Sequence, residues 1–221
     1  MTKSIKTAAK GSAMVVIGVL LNRWHTPPAI RSLFEFSIAM KLSVGCWVVF
    51  GLYWSIAARD SAPTQSAEST WSRQLHLVLV NGALLLLILS IPGLTHRFLP
   101  ASDTVTAVGL TIQAASLLFA VWSRKCLGSN WSGEVRVAAG HSLVRSGPYR
   151  FVRHPIYTAV VGMYVGTAII SGEVHAPLAL LVVALAYRRK LRLEEQALTE
   201  VFGQEYLTYQ RDTWAVVPLL F

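Results

Sequence analysis

The sequence predicts an all-α integral membrane protein of about five transmembrane helices, ending in a helical hairpin and a cytoplasmic C-terminal helix. Three observations carry this. The 221 residues are 53% hydrophobic and only 14% charged, with a mean hydropathy of +0.49, whereas soluble domains carry roughly 25% charged residues. The apolar residues fall in continuous blocks, at 42–58, 75–94, 104–122, 155–171 and 176–187; a crossing helix needs about 20 apolar residues, with about 17 tolerable. The basic residues flank these blocks instead of forming one patch, which is how orientation in a membrane is encoded. A chain this small has no room to bury so many apolar helices in a soluble core. The formal net charge of +9 therefore reads as a membrane-surface signal and not as a nucleic-acid footprint.

Taken in order, residues 1–41 form a basic N-terminal segment. Lys3, Lys6 and Lys10 precede a short apolar run at 13–21, followed by Pro27 and Pro28. That order resembles a signal peptide without a small-residue cleavage site, so the segment is expected to be retained. Its run is shorter than a crossing needs and is expected to lie as an interfacial helix. Residues 42–122 supply three transmembrane helices. The Ser-, Thr- and Ala-rich stretch 59–73 between the first two reads as an exposed loop, and Pro92, Gly93 and Pro100 punctuate the next connection. Residues 123–221 hold a polar segment, the paired apolar blocks and the C-terminal tail. The last apolar block is short and is expected to continue as a helix into the Arg188 stretch.

Only residues 172–175 separate the last two blocks, so these form a tight hairpin whose flanks emerge on one side. Those flanks hold 11 of the 20 basic residues, which assigns that side to the cytoplasm of a multi-pass inner or cell membrane protein. Five crossings with a cytoplasmic C-terminus put the N-terminus outside, against the five basic residues before Lys41. Either the first segment adds a crossing or the downstream charge sets the orientation.

Soluble nucleotide sites and common hydrolase motifs are missing: there is no GxGxxG, P-loop, HExxH or G-x-S-x-G. Cys46 and Cys126 stand far apart, without CxxC spacing or clustered histidines, so neither a disulfide framework nor a metal site is expected. Gly162 and Gly166 make a small-xxx-small pair inside a block. Such a pair lets two helices approach closely, and the hairpin partner is the expected neighbour. Chemistry concentrates on the hairpin flanks. On the first, His154 stands directly before Pro155, which suits the first position of a helix and leaves the helix mouth at the membrane surface. A lone histidine there is more often a cap than a catalyst, and no catalytic residue is assigned. On the second flank a helix is expected to run to Phe202, with Gly203 as its stop. Glu194 lies one turn from Lys190 and is expected to face inward, with Glu195 rotated about 100° away. Two adjacent acids opposite a basic segment suit a cationic ligand.

GPYRFVRHPIY at 147–157, then the hairpin, then the Glu194–Glu195 pair, FGQEYLTY at 202–209 and Pro218 together resemble the isoprenylcysteine carboxyl methyltransferase family. Phospholipid methyltransferases of the same superfamily resemble the chain more weakly. The likeness covers residues 128–218, the N-terminal half matching only in being hydrophobic, and suggests a prokaryotic-type member without the extra N-terminal spans of larger ones. What the resemblance implies is an S-adenosylmethionine site lined by the stretch matching His141, Ser142, Leu143 and Val144, by Tyr149, and by His154, Pro155, Ile156 and Tyr157. It also implies that Glu194 contacts the cofactor. Where the eukaryotic members hold the substrate carboxylate with an Arg, this sequence has Lys190, which keeps the charge and loses the bidentate fork.

The implied activity is O-methylation of a carboxylate on a lipophilic, isoprenylcysteine-like substrate, with membrane lipids as surroundings and neither nucleic acid nor metal as partner. A carboxylate is already ionised near pH 7, with an unperturbed pKa of about 4, so the reaction needs no general base. Two alternatives are a phospholipid amine N-methyltransferase, which needs a base, and a non-catalytic membrane scaffold. The intact RHPIY, EE and FGQEYLTY segments weigh against the scaffold.

Overall fold

The computed structural model describes residues 36–57, 68–128 and 143–216. His141, Ser142, Pro218 and the basic N-terminal segment up to residue 35 lie outside the described residues. Within them are six α-helices: α1 Ile38–Ala57, α2 Thr70–Ile88, α3 Asp103–Leu127, α4 Pro155–Ser171, α5 Ala176–Phe202 and α6 Gln204–Asp212. A 3-10 turn at Gly147–Arg150 precedes α4. Only isolated bridges, Arg97 with Glu173 and Val152 with Trp214, join extended backbone among the described residues.

The helix ends follow local chemistry. Ser69 caps α2 by accepting from the Ser72 N–H at 3.2 Å, and Ser102 caps α3 by accepting from the Val105 N–H at 3.3 Å; each satisfies a donor that has no partner within its helix. Of the stretch 59–73 expected as an exposed loop, Thr70–Arg73 belong to α2 and Ser72 is buried. Asp103 opens α3 while Arg124 and Lys125 close it, each sign favourable against the helix dipole. Pro155 begins α4 directly after His154, where its missing N–H costs nothing.

Among the described residues three helices, α1, α2 and α3, are long and apolar enough to cross a membrane. The count of five is not reached on those terms. α4 is apolar but has only 17 residues, and α5 runs without a break from its apolar start through the polar Arg188 stretch to Phe202. Outward faces carry Leu42, Val49, Leu52, Val78, Leu118, Leu178, Leu181 and Leu185, all exposed. Large apolar side chains facing out on several helices are what lipid, not water, stabilises.

α4 is the centre of the bundle. It packs on α1, α2, α3 and α5, and Ala159, Val160, Met163, Tyr164, Thr167 and Ala168 are all buried. Its longest contact is with α3, and here the structure corrects the sequence expectation. Gly162 and Gly166 face α3, not the hairpin partner α5. A Cβ on Gly166 would lie 2.6 Å from the Gly109 carbonyl oxygen and 2.8 Å from Gln113 Cβ, and one on Gly162 would lie 2.3 Å from Ser116 Oγ. The hairpin instead packs through alanines and valines of α5, Ala176, Ala179 and Val183, in one apolar cluster with Val160, Tyr164 and Ala168. A buried polar knot locks α1 and α3 to α4. Thr167 Oγ1 accepts from Trp47 Nε1 at 2.9 Å and lies 3.2 Å from Ser43 Oγ, while Gln113 Nε2 donates to the Ser43 carbonyl at 3.1 Å. In a dry interior these groups satisfy one another or destabilise the fold.

Gly172 closes α4 at φ +60, and its carbonyl accepts from Phe98 N–H at 2.9 Å and Leu99 N–H at 3.2 Å. The hairpin tip is thereby pinned to the α2–α3 connection, and the opposite ends of α4 and α5 are brought together. Replacing Gly166 by Ala is expected to cost about 1–3 kcal/mol of stability, because the clash is with backbone that has nowhere to move. Gly45→Ala, with nothing within 4 Å of the new methyl, is expected to leave stability unchanged. Thermal unfolding in detergent micelles measures both, and equal midpoints would refute the role given to the α3–α4 contact.

Candidate active site

The segment before α4 is held in shape from two sides. Gly147 has φ +59, a conformation that strains any side chain. A Cβ there would also come within 2.7 Å of Cys126 Sγ. The glycine of GPY is thus required by both backbone and space. Tyr149 follows, buried, with its carbonyl accepting from Tyr209 Oη–H at 2.6 Å. Residues 151–154 then run alongside the chain end: Arg153 N–H donates to Trp214 O at 2.8 Å, His154 N–H to Ala215 O at 3.0 Å, and Trp214 N–H to Phe151 O at 3.1 Å. α6, a helix the sequence reading did not anticipate, carries Tyr206 and Tyr209 into the core beneath this loop. Arg145 adds a tie from above, donating to the Glu205 carboxylate at 3.2 Å. FGQEYLTY is therefore the support of the RHPIY segment.

At the mouth of α4 stands His154, 6% exposed. Its ring stacks on Tyr157 with centroids 5.4 Å apart and planes 4° from parallel. Nδ1 lies 3.7 Å from a Glu194 oxygen, and Nε2 lies 3.4 Å from a Glu195 oxygen without the alignment of a hydrogen bond. Glu195 is not turned away, contrary to the sequence expectation. The physical reason is that His154 sits between the two directions, about 100° apart, in which consecutive helical residues point, and it meets one oxygen from each.

The two acids have different partners. Glu194 accepts from Tyr157 Oη–H at 2.5 Å and keeps 30% of its side chain exposed. Glu195 accepts from Arg153 Nε at 2.8 Å, and the same guanidinium donates through NH1 to the carbonyls of Gln210, at 3.0 Å, and Thr213. Burial works against ionising Glu195, but Arg153 and His154 outweigh it and hold its carboxyl below the ordinary range. Burial pushes the Tyr149 phenol far above its ordinary value, with Glu194 adding to the effect. Tyr209 is pushed up to about 12 by burial, moderated by Arg153 and Arg145. Both phenols stay neutral donors at physiological pH. Arg153 is a residue the sequence reading passed over; the signal was its place beside His154 with carbonyl-rich helix ends downstream.

Lys190 lies one turn before Glu194 on α5, 7% exposed. Its Nζ is 2.5 Å from Glu68 Oε2, and the Glu68 side chain is 1% exposed. Ser72 Oγ–H donates to the other Glu68 oxygen at 2.7 Å, and Arg189 donates to Ser72 Oγ at 2.5 Å. Burial opposes the charge on Glu68, but Lys190 and Ser72 outweigh it and lower its pKa. Tyr157 and Tyr187 rings, 5.1 Å apart, and Tyr187 and His76, 5.1 Å apart, line the way between the two charged clusters. The structure thus gathers Tyr149, His154, Tyr157 and Glu194 at one end of the α4–α5 hairpin, with Pro155 and Ile156 buried beneath. Leu143 and Val144 are half-buried in the extended run leading to the turn.

Glu195 contributes to stability fully above the ordinary carboxylate range, and that contribution is lost as pH falls through its lowered folded value. Glu195→Gln is accordingly expected to cost about 1–3 kcal/mol at neutral pH, the gap to wild type closing in acid. Denaturation followed against pH tests this; a gap that persists unchanged in acid would remove the ion pair as its cause.

A family model described as phospholipid methyltransferase matches residues 104–205. The protein-S-isoprenylcysteine O-methyltransferase of Rattus norvegicus is 27% identical over 244 residues, covering 95% of this chain and 83% of that protein. The enzyme of the same name from Tribolium castaneum is 31% identical over 96 residues, covering 42% of this chain and 34% of its own. The first of these alignments takes in the N-terminal half, which the sequence motifs alone did not reach. A solved structure of the eukaryotic intramembrane Ras methyltransferase, an isoprenylcysteine carboxyl methyltransferase, superposes with a TM-score of 0.49 at 15% identity, covering 97% of this chain and 95% of that one. Sequence motifs, family model and relatives point the same way: the chain is a membrane methyltransferase similar to the protein-S-isoprenylcysteine O-methyltransferases.

Proposed function

We propose that this methyltransferase uses S-adenosylmethionine to esterify the carboxylate of a lipophilic, isoprenylcysteine-like acceptor at the cytoplasmic face of the membrane. The observation that carries the reading is the placement of an acid–aromatic cluster and a buried ammonium one turn apart on the same helix, α5. Bound there, S-adenosylmethionine would supply a methyl group on a sulfonium, which leaves without acid or metal assistance. The residues present suit such a cation. Glu194 keeps an accessible carboxylate, His154 Nε2 is buried without a hydrogen-bond partner, and the stacked His154 and Tyr157 rings offer aromatic faces to positive charge. Glu194 would hold the cofactor's amino group. Leu143, Val144, Tyr149, His154, Pro155, Ile156 and Tyr157 would form its walls.

Lys190 would anchor the acceptor carboxylate, which is itself the nucleophile and is ionised without a base. Catalysis is then mainly alignment in a water-poor pocket. The exposed leucines of α5 leave the acceptor's apolar tail in lipid while its head reaches the helix ends. The basic flanks of the hairpin favour the cytoplasm for that end. An amine acceptor fits less well, since an ammonium beside Lys190 would repel it.

Purified protein incubated with methyl-labelled S-adenosylmethionine and an S-farnesyl cysteine derivative is expected to form a product that releases labelled methanol in mild alkali. An alkali-stable label on lipid would overturn the reading in favour of amine methylation. Glu194→Gln is expected to weaken cofactor binding by about 1.5–3 kcal/mol, the loss of a charge-assisted hydrogen bond. Glu195→Gln, whose partner is Arg153, is expected to weaken it less. Lys190→Ala is expected mainly to raise the KM of the acceptor, since an anchor acts on ground and transition states alike. Calorimetry and initial rates measure the three.

A further inference from the structure

We infer that Glu68 is an internal anion seated in the acceptor's carboxylate site, which the substrate must displace, and that Ser72 is that site's second donor. The inference rests on the reading of Lys190 as the acceptor anchor. Glu68 supplies the observation that a carboxylate fits there: one oxygen is 2.5 Å from Lys190 Nζ and the other accepts from Ser72 Oγ–H at 2.7 Å. Arg189 stands behind Ser72, donating to its Oγ at 2.5 Å and to its carbonyl at 3.3 Å. Lys190 and Ser72 together hold both oxygens of one carboxylate, as a single guanidinium would do by its fork. This answers the loss of the fork noted at Lys190.

The location of Glu68 separates it from an ordinary helix-to-helix tie. It precedes the N-cap Ser69 of α2, so its side chain can leave without moving a helix. The face it covers is also the face of Glu194, one turn along α5. A buried ammonium deprived of its partner is strongly unfavourable. Only an acceptor that brings a negative charge can replace Glu68, since a neutral or cationic head would leave Lys190 unpaired. Exchange of one carboxylate for another keeps the local charge constant. Glu68 would thus set specificity for acids at the expense of their apparent affinity.

Glu68→Gln is expected to lower the KM for the farnesyl cysteine acceptor about tenfold or more, the effect of a charged hydrogen bond no longer competing. Cofactor affinity is expected to stay as in wild type. In the Lys190→Ala background the same change is expected to have no effect on KM, and in the E68Q background Ser72→Ala is expected to raise KM several-fold. Glu68→Asp, which keeps the charge but shortens the reach, should shift KM the same way by less, and serves if E68Q fails to fold. Binding to the non-reactive carboxamide of the acceptor gives an independent readout: E68Q should tighten the acid and not the amide. A KM unchanged or raised in both Glu68 variants, with methyl ester still formed by wild type, would overturn this inference alone. Absence of ester formation in wild type would remove the parent reading and this one with it.

Discussion

Arg153 ties the loop before α4 to α5 and to the end of α6. Its Nε engages Glu195 on α5, and its NH1 reaches the carbonyls that close α6. A guanidinium suits that position because its donors are fixed in a plane and its charge does not titrate. At the C-terminal end of a helix that charge is also favoured by the unpaired carbonyls. The interaction divides the labour between two adjacent acids. Glu195 is committed to holding the architecture, so Glu194, one position away and partly exposed, remains available to a ligand. His154 lies between them, its orientation fixed by stacking on Tyr157 and by its backbone bond to Ala215.

The membrane imposes the rest. Without water, backbone polar groups must be satisfied within helices, so irregular chain is confined to helix ends. A hairpin turned tightly at Gly172 brings two such ends together. The central helix α4 approaches α3 closely because Gly109 and Gly166 leave no side chains between the backbones. That close approach also seats Cys126, near the end of α3, against Gly147. The distant glycine contact in the bundle and the shape of the loop before His154 are therefore linked through one helix.

Much of this was legible in the sequence. Hydropathy blocks marked the helices, Pro155 marked the start of α4, and Gly203 marked the end of α5, because each of these signals is local. Facing was harder. The spacing of Gly162 and Gly166 says that a close neighbour exists but not which one, and α3 rather than α5 takes that place. The Glu194–Glu195 pair suggested one inward and one outward acid; only the position of a side chain from another element, His154, shows that both point toward it. Glu68 was invisible as a partner of Lys190, since 122 residues separate them in sequence and no periodicity spans such a gap. α6 was missed because a nine-residue polar helix has little apolar pattern, and its stability comes from two buried tyrosines and from Arg153.

Charge also orders the reaction sequence that these parts suggest. On the proposed function, Glu194 of α5 would meet the cofactor's cation and Lys190 the acceptor's anion. Methyl transfer from a sulfonium to a carboxylate would remove those two charges at once, while the amino group assigned to Glu194 keeps its own. A methyl ester offers Lys190 no negative oxygen, so the pairing with Glu68 again becomes the most favourable arrangement of the site. The group that opposes acceptor binding would therefore favour product departure, toward the lipid that already holds the apolar tail. On this reading an internal anion just before α2 would trade affinity for turnover.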